Sequence, residues 1–163
     1  IPSFEVANKG LLKFVCSNFE RVFISTGTAT ALEIHDLVNL IDVNSSTVMH
    51  CVSSYPCSIE SINLPRINYL KSLFKSVGFS DHTSGIDAAV FSLAYDVDVI
   101  EKHFTVDHDL PGRDNKFAIL PDDLKALSIQ VSNFEKASYN HGIDYQQSES
   151  ETRSIYRGRF NHG

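Results

Sequence analysis

Residues 78–83 read Gly-Phe-Ser-Asp-His-Thr, and residues 99–105 read Val-Ile-Glu-Lys-His-Phe-Thr. Each stretch begins at the end of an apolar, β-branched run and leads into a histidine among hydroxyl and carboxylate side chains. Residues 86–95, which lie between them, have a short, alanine-rich pattern that predicts a helix. If both stretches are parallel strands joined by that helix, His82 and His103 emerge side by side at one end of a sheet. The sequence therefore predicts a two-histidine site at neighbouring strand ends.

Strand and helix patterns alternate along the rest of the chain. β-type runs occur at residues 22–25, 47–51, 77–80 and 97–104, and helical patterns at residues 30–40, 64–74, 86–95 and 121–137. Residues 3–5 are interpreted as the end of an earlier strand, with residues 11–16 as its helix. Strict alternation predicts a parallel sheet with right-handed crossovers. We predict an α/β fold, a partial (β/α)8 TIM barrel comprising about its last four units. A doubly wound sheet is the alternative, but its glycine-rich fingerprint is missing.

The composition argues against several classes of function. The 163 residues carry a net charge of −6, and the basic residues are scattered rather than clustered. This balance disfavours binding to nucleic acid or to an anionic membrane. No apolar run reaches the roughly 18 residues that a transmembrane helix needs. The three cysteines form no CxxC pair, which indicates reduced thiols and a cytoplasmic protein.

Polar side chains follow each predicted strand, at the end where parallel α/β folds place their active sites. His82 and His103 are the candidate metal ligands, because neutral imidazole suits zinc, manganese, iron or cobalt. A single histidine would more often hydrogen-bond a neighbouring strand, and it is the pair that favours ligation. His50 lies one strand further away and is expected to line the site rather than to bind the metal.

Short hydroxyl donors at four strand ends indicate an anion site. They are Ser3, Ser25, Ser53 and Ser80. Hydroxyls next to backbone N–H groups suit a phosphate, although each serine could equally cap a helix. A charged loop with a Pro-Gly turn, residues 110–116, follows the last strand. Its Asp114 could contact a metal or a substrate hydroxyl, and a plain solvated loop is the equal alternative.

Five motifs resemble those of the sialic acid (N-acetylneuraminate) synthase family. They are Ser-Thr-Gly at 25–27, His-Cys-Val-Ser-Ser-Tyr-Pro at 50–56, Gly-Phe-Ser-Asp-His-Thr-Ser-Gly at 78–85, Glu-Lys-His-Phe-Thr at 101–105 and Leu-Pro-Gly-Arg-Asp at 110–114. The similarity covers about residues 1–137, and the last three motifs together are highly specific. The resemblance implies a (β/α)8 barrel that condenses phosphoenolpyruvate with an N-acetylated hexosamine, typically N-acetylmannosamine, and releases phosphate.

The resemblance also implies roles for individual residues around a metal. His82 and His103 match the two histidines that hold a divalent ion, most often manganese, with magnesium or cobalt as alternatives. That ion would polarise the aldehyde of the open-chain sugar. Glu5 and Asp114 match acids around the metal and the reacting groups, and they are the candidate catalytic residues. The parent protein is expected to be a homodimer.

The serines match the family as well, with one departure nearby. Ser3, Ser25 and Ser80 match phosphate-binding serines, and Ser53 matches a position that contacts phosphoenolpyruvate. Phe4 stands where the family usually has glycine, which is expected to crowd the rim of the barrel.

The similarity suggests how the chain relates to a whole synthase. Residues 1–138 are expected to be the C-terminal half of the barrel, and residues 139–163 a polar tail toward an antifreeze-like domain. The family's phosphate-binding lysines would precede Ile1. The piece alone is therefore expected to lack synthase activity.

Two other functions stay open on the sequence alone. One is a metal-dependent aldolase or hydrolase that uses the same two histidines. The other is a non-catalytic, truncated subunit, which the departure at Phe4 would favour. Phosphate release that depends on phosphoenolpyruvate would separate the synthase from the first of these.

Overall fold

The computed structural model describes residues 1–160, and these contain a four-stranded parallel sheet. Its strands are β1 (Val22–Ser25), β2 (Ser46–Cys51), β3 (Val77–Asp81) and β4 (Val99–Lys102). The strands lie in the sheet in the same order as in the chain, and each pairs in parallel with the next. This order is that of a barrel wall, whereas a doubly wound sheet reverses its strand order at a switch point. The predicted α/β architecture with four parallel strands is confirmed.

Helices connect and follow the strands. They are α1 (Lys9–Asn18), α2 (Ala31–Leu37), α3 (Arg66–Lys71), α4 (Asp87–Ser92), α5 (Pro121–Ala137) and α6 (Ser150–Tyr156). Local signals explain where they begin. Thr30 and Glu33 form a capping box at the start of α2, and Pro121 occupies the first turn of α5. Within residues 1–160, no helix combines the length and the apolar character that crossing a membrane requires.

Alternate residues of each strand point to opposite sides of the sheet. The side that the helices cover, here called the outer face, carries Val22, Ile24, Val48, Val77 and Phe79, which belong to the hydrophobic core. Ile34 and Leu37 of α2 and Ile67 and Leu70 of α3 complete that core and are fully buried. The opposite side, here called the inner face, carries Ser25, Met49, Cys51, Gly78, Ser80 and Glu101. The polar residues of interest therefore lie mainly on the inner face.

Residues 3–5 do not end a strand, and that prediction is wrong. Ser3–Glu5 form a 3₁₀ turn in which the Glu5 N–H donates to the Pro2 carbonyl at 3.0 Å. Strand-like pairing stops at Ile1, two residues before Ser3, where the Ser25 N–H donates to the Ile1 carbonyl at 3.0 Å. Pro2 is still extended, with φ −68° and ψ 155°, and it is the N-cap residue after which the turn begins.

The end of β4 and the tail also differ from the sequence-based bounds. β4 ends at Lys102 rather than at residue 104, because the His103 carbonyl accepts a hydrogen bond from the Ile119 N–H at 2.8 Å. The predicted polar tail, residues 139–163, contains helix α6, and its last three residues lie outside the described part. The division of the chain at residue 138 stays a prediction.

Candidate active site at the strand ends

The two histidines predicted as a pair lie side by side. His82 follows β3 directly and His103 follows β4, and their ring centroids are 5.2 Å apart with the planes at 60°. The register pairs Ser80 with Glu101, each two residues before its histidine. Because side chains alternate along a strand, both imidazoles continue the inner face at the same height. The spacing of the two motifs therefore predicted their juxtaposition correctly.

The hydrogen bond of His82 defines which of its nitrogens is available. His82 Nδ1 lies 2.9 Å from the carbonyl oxygen of Val52. A carbonyl can only accept, so Nδ1 carries a hydrogen and donates it, and in the neutral ring the lone pair is on Nε2. The ring is only 6% exposed, and the Tyr55 ring packs on it with centroids 4.3 Å apart. His82 is thus held in one orientation, with Nε2 as its free acceptor.

His103 is set by its surroundings to be neutral near pH 7. Burial, assisted by the neighbouring His82, lowers the pKa of His103 against the opposing effect of Asp114. Asp114 comes from the loop after β4, and its Oδ2 lies 3.7 Å from His103 Nδ1. The charged loop at residues 110–116 thus brings this carboxylate to the histidine pair. A pocket of about 260 Å³ lies beside it, lined by Tyr55, Pro56, Ser84, Arg113, Asp114, Lys116 and Phe117.

The four predicted serines separate into three positions. Ser3 Oγ and Ser53 Oγ are 2.7 Å apart and share a hydrogen bond. Both pack over Gly27, where an added Cβ would collide with the Ser53 side chain and touch Ser3. Ser25 lies at the inner-face end of β1 and is buried. Ser80 donates a hydrogen bond to Glu101 Oε1 at 2.6 Å on the neighbouring strand.

Cys51 connects the serine pair to the histidine pair. Its Sγ lies 3.9 Å from Ser53 Oγ and 3.8 Å from His82 Nδ1. Burial raises the pKa of the Cys51 thiol, so the sulfur is uncharged near pH 7. A continuous row of polar groups therefore crosses the rim from Ser3 to His82.

Glu5 and Phe4 both lie in the turn that carries Ser3. Glu5 Oε2 accepts a hydrogen bond from the Asn8 side chain at 2.8 Å, next to the start of α1. Phe4, expected to crowd the rim, is 77% exposed, and its neighbour Ser3 keeps its contact with Ser53. The Glu5 carboxylate is therefore bonded to Asn8, in the same turn that carries Ser3.

His50 does not line the site, and that prediction is wrong. The side chain is fully buried on the outer face, where Nε2 donates to the Ile62 carbonyl at 2.6 Å and the ring stacks on Phe79. The reason is the alternation along β2, which turns Met49 and Cys51 inward and the residue between them outward. His50 is thus part of the core.

Sequence reasoning did not select three residues that the structure brings into the site. They are Cys51, Tyr55 and Glu101. Glu101 lies two positions before His103, and Cys51 lies two positions before Ser53. The same alternation of side chains would therefore have found both. Tyr55 lies in the loop after β2, and its position over His82 has no comparable signal in the sequence.

The pair of histidines is not part of a larger preformed ligand cluster. Within residues 1–160, no group of three or more His, Cys, Asp or Glu side chains is arranged to hold a metal ion. A metal at His82 and His103 would therefore take its other ligands from elsewhere.

A concave inner face with polar groups at successive strand ends defines the class: part of a (β/α)8 barrel whose carboxyl-end rim forms an enzyme-type site. The NeuB family model matches residues 1–142, and the chain belongs to this family. The predicted partial barrel is confirmed by the structure of an N-acetylneuraminic acid (sialic acid) synthetase from Leptospira borgpetersenii. It superimposes with a TM-score of 0.83 at 33% identity, over 95% of this chain and 56% of that chain.

Curated relatives agree with this assignment. An N,N'-diacetyllegionaminic acid synthase of Campylobacter jejuni is 37% identical over 95% of this chain and 48% of its own length. The spore coat polysaccharide biosynthesis protein SpsE of Bacillus subtilis is 34% identical over 96% of this chain and 43% of its own length. The chain thus spans about half the length of the curated relatives it matches. The resemblance drawn from the five motifs is confirmed at the level of the family.

Proposed function

We propose that the protein is a synthase of a nonulosonic (sialic-type) acid. It would join phosphoenolpyruvate to an N-acetylated amino sugar, such as N-acetylmannosamine, and release phosphate. Membership of the NeuB family and the names of the synthase relatives support this class of product. The observation that carries the proposal is the row of polar groups from the Ser3–Ser53 pair to the histidine pair on one rim.

The histidine pair fits a divalent metal, which we propose to be Mn2+, with Mg2+ or Co2+ as alternatives. Histidine ligands of metals usually donate their second ring N–H to a carbonyl or carboxylate, as His82 Nδ1 does to Val52. The lowered pKa of His103 keeps its ring in the neutral form that ligation requires. Two protein ligands leave positions for water or substrate oxygens. A metal bound there would supply Lewis-acid polarisation of the sugar carbonyl.

The neighbouring side chains then have roles of their own. The Asp114 carboxylate orients the His103 ring from 3.7 Å and can accept a substrate hydroxyl. Tyr55 covers His82 and limits the access of water to it. Glu5 offers a second carboxylate in the turn that carries Ser3. Asp114 and Glu5 are our candidates for the catalytic acids and bases.

The serine hydroxyls are proposed to hold phosphoenolpyruvate. In the Ser3–Ser53 pair one hydroxyl donates to the other, so one proton of the two stays free for a ligand oxygen. Ser80 donates its proton to Glu101, and a phosphate oxygen would compete with that carboxylate. Ser25, on the adjacent strand end, would add a further donor.

We further propose that the intact protein acts in the cytoplasm as a homodimer. Cys16, Cys51 and Cys57 are all free thiols, which supports a reducing compartment. Light scattering on the intact protein tests the homodimer.

The direct test supplies the intact protein with phosphoenolpyruvate, N-acetylmannosamine and Mn2+. We expect phosphate release and 2-keto acid formation that both require the two substrates together. Sugar cleavage without phosphoenolpyruvate would instead support an aldolase or hydrolase. An absence of turnover and of phosphoenolpyruvate binding would support a non-catalytic subunit.

The metal assignment is tested by His82→Ala. Loss of one of two protein ligands is expected to lower turnover on the order of 100-fold or more and to abolish Mn2+ binding measured by titration calorimetry. The matched control is His35→Ala, which changes an exposed histidine of α2 and should leave both quantities unchanged. Unchanged Mn2+ binding in His82→Ala would remove His82 from the metal site.

A further inference from the structure

A buried ion pair lies directly behind the two histidines. Lys102 Nζ is 3.0 Å from Asp81 Oδ2, and the two side chains are 4% and 0% exposed. Asp81 immediately precedes His82, and Lys102 immediately precedes His103. Because successive side chains alternate, the ion pair occupies the outer face while the histidines occupy the inner face.

The same groups also fix the backbone after His82. Lys102 Nζ donates a second hydrogen bond to the Thr83 carbonyl at 2.6 Å. Asp81 Oδ1 accepts a hydrogen bond from the Thr83 N–H at 2.8 Å. The set of Asp81, Thr83 and Lys102, here called the strap, therefore holds the residues on both sides of His82 and ties them to the residue before His103.

The strap is placed where the backbone ladder between the two strands ends. The pairing of β3 with β4 stops at Asp81 opposite Lys102. Beyond this point the His82 carbonyl accepts from the Cys57 N–H at 2.9 Å, and the His103 carbonyl accepts from the Ile119 N–H at 2.8 Å. The backbone of each histidine is thus bonded to a different loop. The strap is the last cross-link between the two strands before their chains separate.

A buried ion pair of this kind contributes little net stability, because desolvation of both charges offsets their attraction. An uncharged pair of similar size would serve the core about as well. Such a pair could not supply the hydrogen bonds from the Lys102 ammonium to the Asp81 carboxylate and to the Thr83 carbonyl. These bonds fix the ends of β3 and β4 in one geometry.

We propose that Asp81 and Lys102 are positioning residues, which fix the separation and orientation of the His82 and His103 rings and thereby set the affinity of that pair for a divalent metal. The metal part of this inference rests on the proposed function. The ring geometry does not, so the two can be tested separately.

The key variant is the double substitution Asp81→Asn with Lys102→Met in the intact protein. It removes both charges together. Each single substitution would instead leave the other charge buried without its partner. The amide oxygen introduced by Asp81→Asn can still accept from the Thr83 N–H, and its NH₂ group can donate to the Thr83 carbonyl that Lys102 no longer bonds, so the link between the strands is what is lost. The midpoint of chemical unfolding should therefore stay close to that of the parent protein.

Two readouts report on positioning rather than on stability. The Mn2+ affinity, measured by titration calorimetry, should weaken by about 10- to 100-fold, as for other supporting partners of metal ligands. The ring resonances of His82 and His103, recorded by NMR without metal, should both shift. The matched control is Lys71→Met, which removes the 2.6 Å ion pair between Lys71 and Asp96 away from the histidines and should change neither readout.

The outcomes separate this inference from the proposed function. If the double variant keeps both the Mn2+ affinity and the histidine resonances of the parent, the positioning role is overturned. If the parent itself binds no Mn2+, the metal part of the proposed function fails. In that case the metal-free spectra still decide: shifted resonances support the strap as a positioning device, and unchanged resonances overturn it.

Discussion

The outer and inner faces of the sheet differ in what their polar groups are bonded to. On the outer face, His50 Nε2 bonds a backbone carbonyl and Lys102 pairs with Asp81, so these groups have enclosed partners. On the inner face, Ser3 bonds the half-buried Ser53 and Ser80 bonds the exposed Glu101, so the partners are open to solvent. Groups of the first kind are enclosed, so their partners stay fixed. Groups of the second kind can exchange a partner for a ligand, and this is why we place the function on the inner face.

Phe79 and Ser80 provide the sharpest test of this contrast, since they are neighbours on β3 with opposite directions. Phe79 is fully buried in the outer-face core, so Phe79→Ala is expected to lower the free energy of unfolding by about 3–5 kcal/mol. Ser80→Ala removes one hydrogen bond and should cost less than about 1.5 kcal/mol. Chemical denaturation of the intact protein measures both.

The two substitutions should rank in the opposite order for their effect on phosphoenolpyruvate binding. Ser80→Ala is expected to weaken phosphoenolpyruvate affinity, measured by titration calorimetry, because a proposed donor is lost. If Ser80→Ala destabilised the protein as much as Phe79→Ala and bound phosphoenolpyruvate normally, the functional contrast between the faces would be broken.

A second test asks whether the inner face is packed where it is not functional. Met49 lies against Gly78, and a Cβ added to Gly78 would come within 2.7 Å of Met49 Cε and 2.8 Å of the Val99 carbonyl oxygen. Met49 can move, but the backbone of β4 cannot move without disturbing the ladder. Gly78→Ala is therefore expected to destabilise the protein by about 1–3 kcal/mol, as overpacking does.

The control for this prediction is another glycine with room around it. Gly10 lies in α1, where an added Cβ meets Asn8 Oδ1 at 3.7 Å. Gly10→Ala should raise the free energy of unfolding by about 0.5–1 kcal/mol, because alanine is the better helix former. Denaturation midpoints compare the two variants. If Gly78→Ala left the stability unchanged, the inner face around Met49 would be loosely packed.

The sequence predicted well what depends on local periodicity and on strand order. Each of the four strands and the helices between them has its own apolar pattern, and His82 and His103 follow neighbouring strands at matching positions. These features need no knowledge of distant contacts, because parallel strands with short crossovers bring their carboxyl ends together in any such fold.

The errors lie where a strand or turn carries no marker of direction. β2 is buried along its whole length, so burial does not distinguish its two faces, and only the alternation with Ser53 indicates that Cys51 points inward and His50 outward. The turn at residues 3–5 begins directly after Pro2, a residue that an extended strand end accommodates equally well. The approach of Asp114 to His103 depends on how a long loop returns to Ile119, and contacts at that range cannot be derived from spacing.

The smallest predicted effect on stability concerns His50, an enclosed polar residue of the outer face. Burial is the main reason that the pKa of His50 is lowered, and the Arg66 guanidinium of α3 adds to it, while the bond to the Ile62 carbonyl opposes it. Nδ1 has no hydrogen-bond partner among the described residues, so a second proton there would be enclosed without an acceptor. The folded protein therefore favours the neutral ring.

The sign of the pH dependence follows from this preference. Below the ordinary pKa of about 6.5 the unfolded chain binds a proton at His50 that the folded protein does not yet bind. The contribution of His50 is thus fully present above that value and is lost as the pH falls toward the folded-state pKa, at no more than about 1.4 kcal/mol per pH unit. His50→Gln keeps a donor for the Ile62 carbonyl but cannot titrate. Unfolding measured at pH 7.5 and 5.5 should show a larger loss in the parent than in His50→Gln, since titrating groups common to both cancel in the difference. Equal losses would mean that His50 gains its proton in the folded core without penalty, and that the outer face is less closed to charge than its packing indicates.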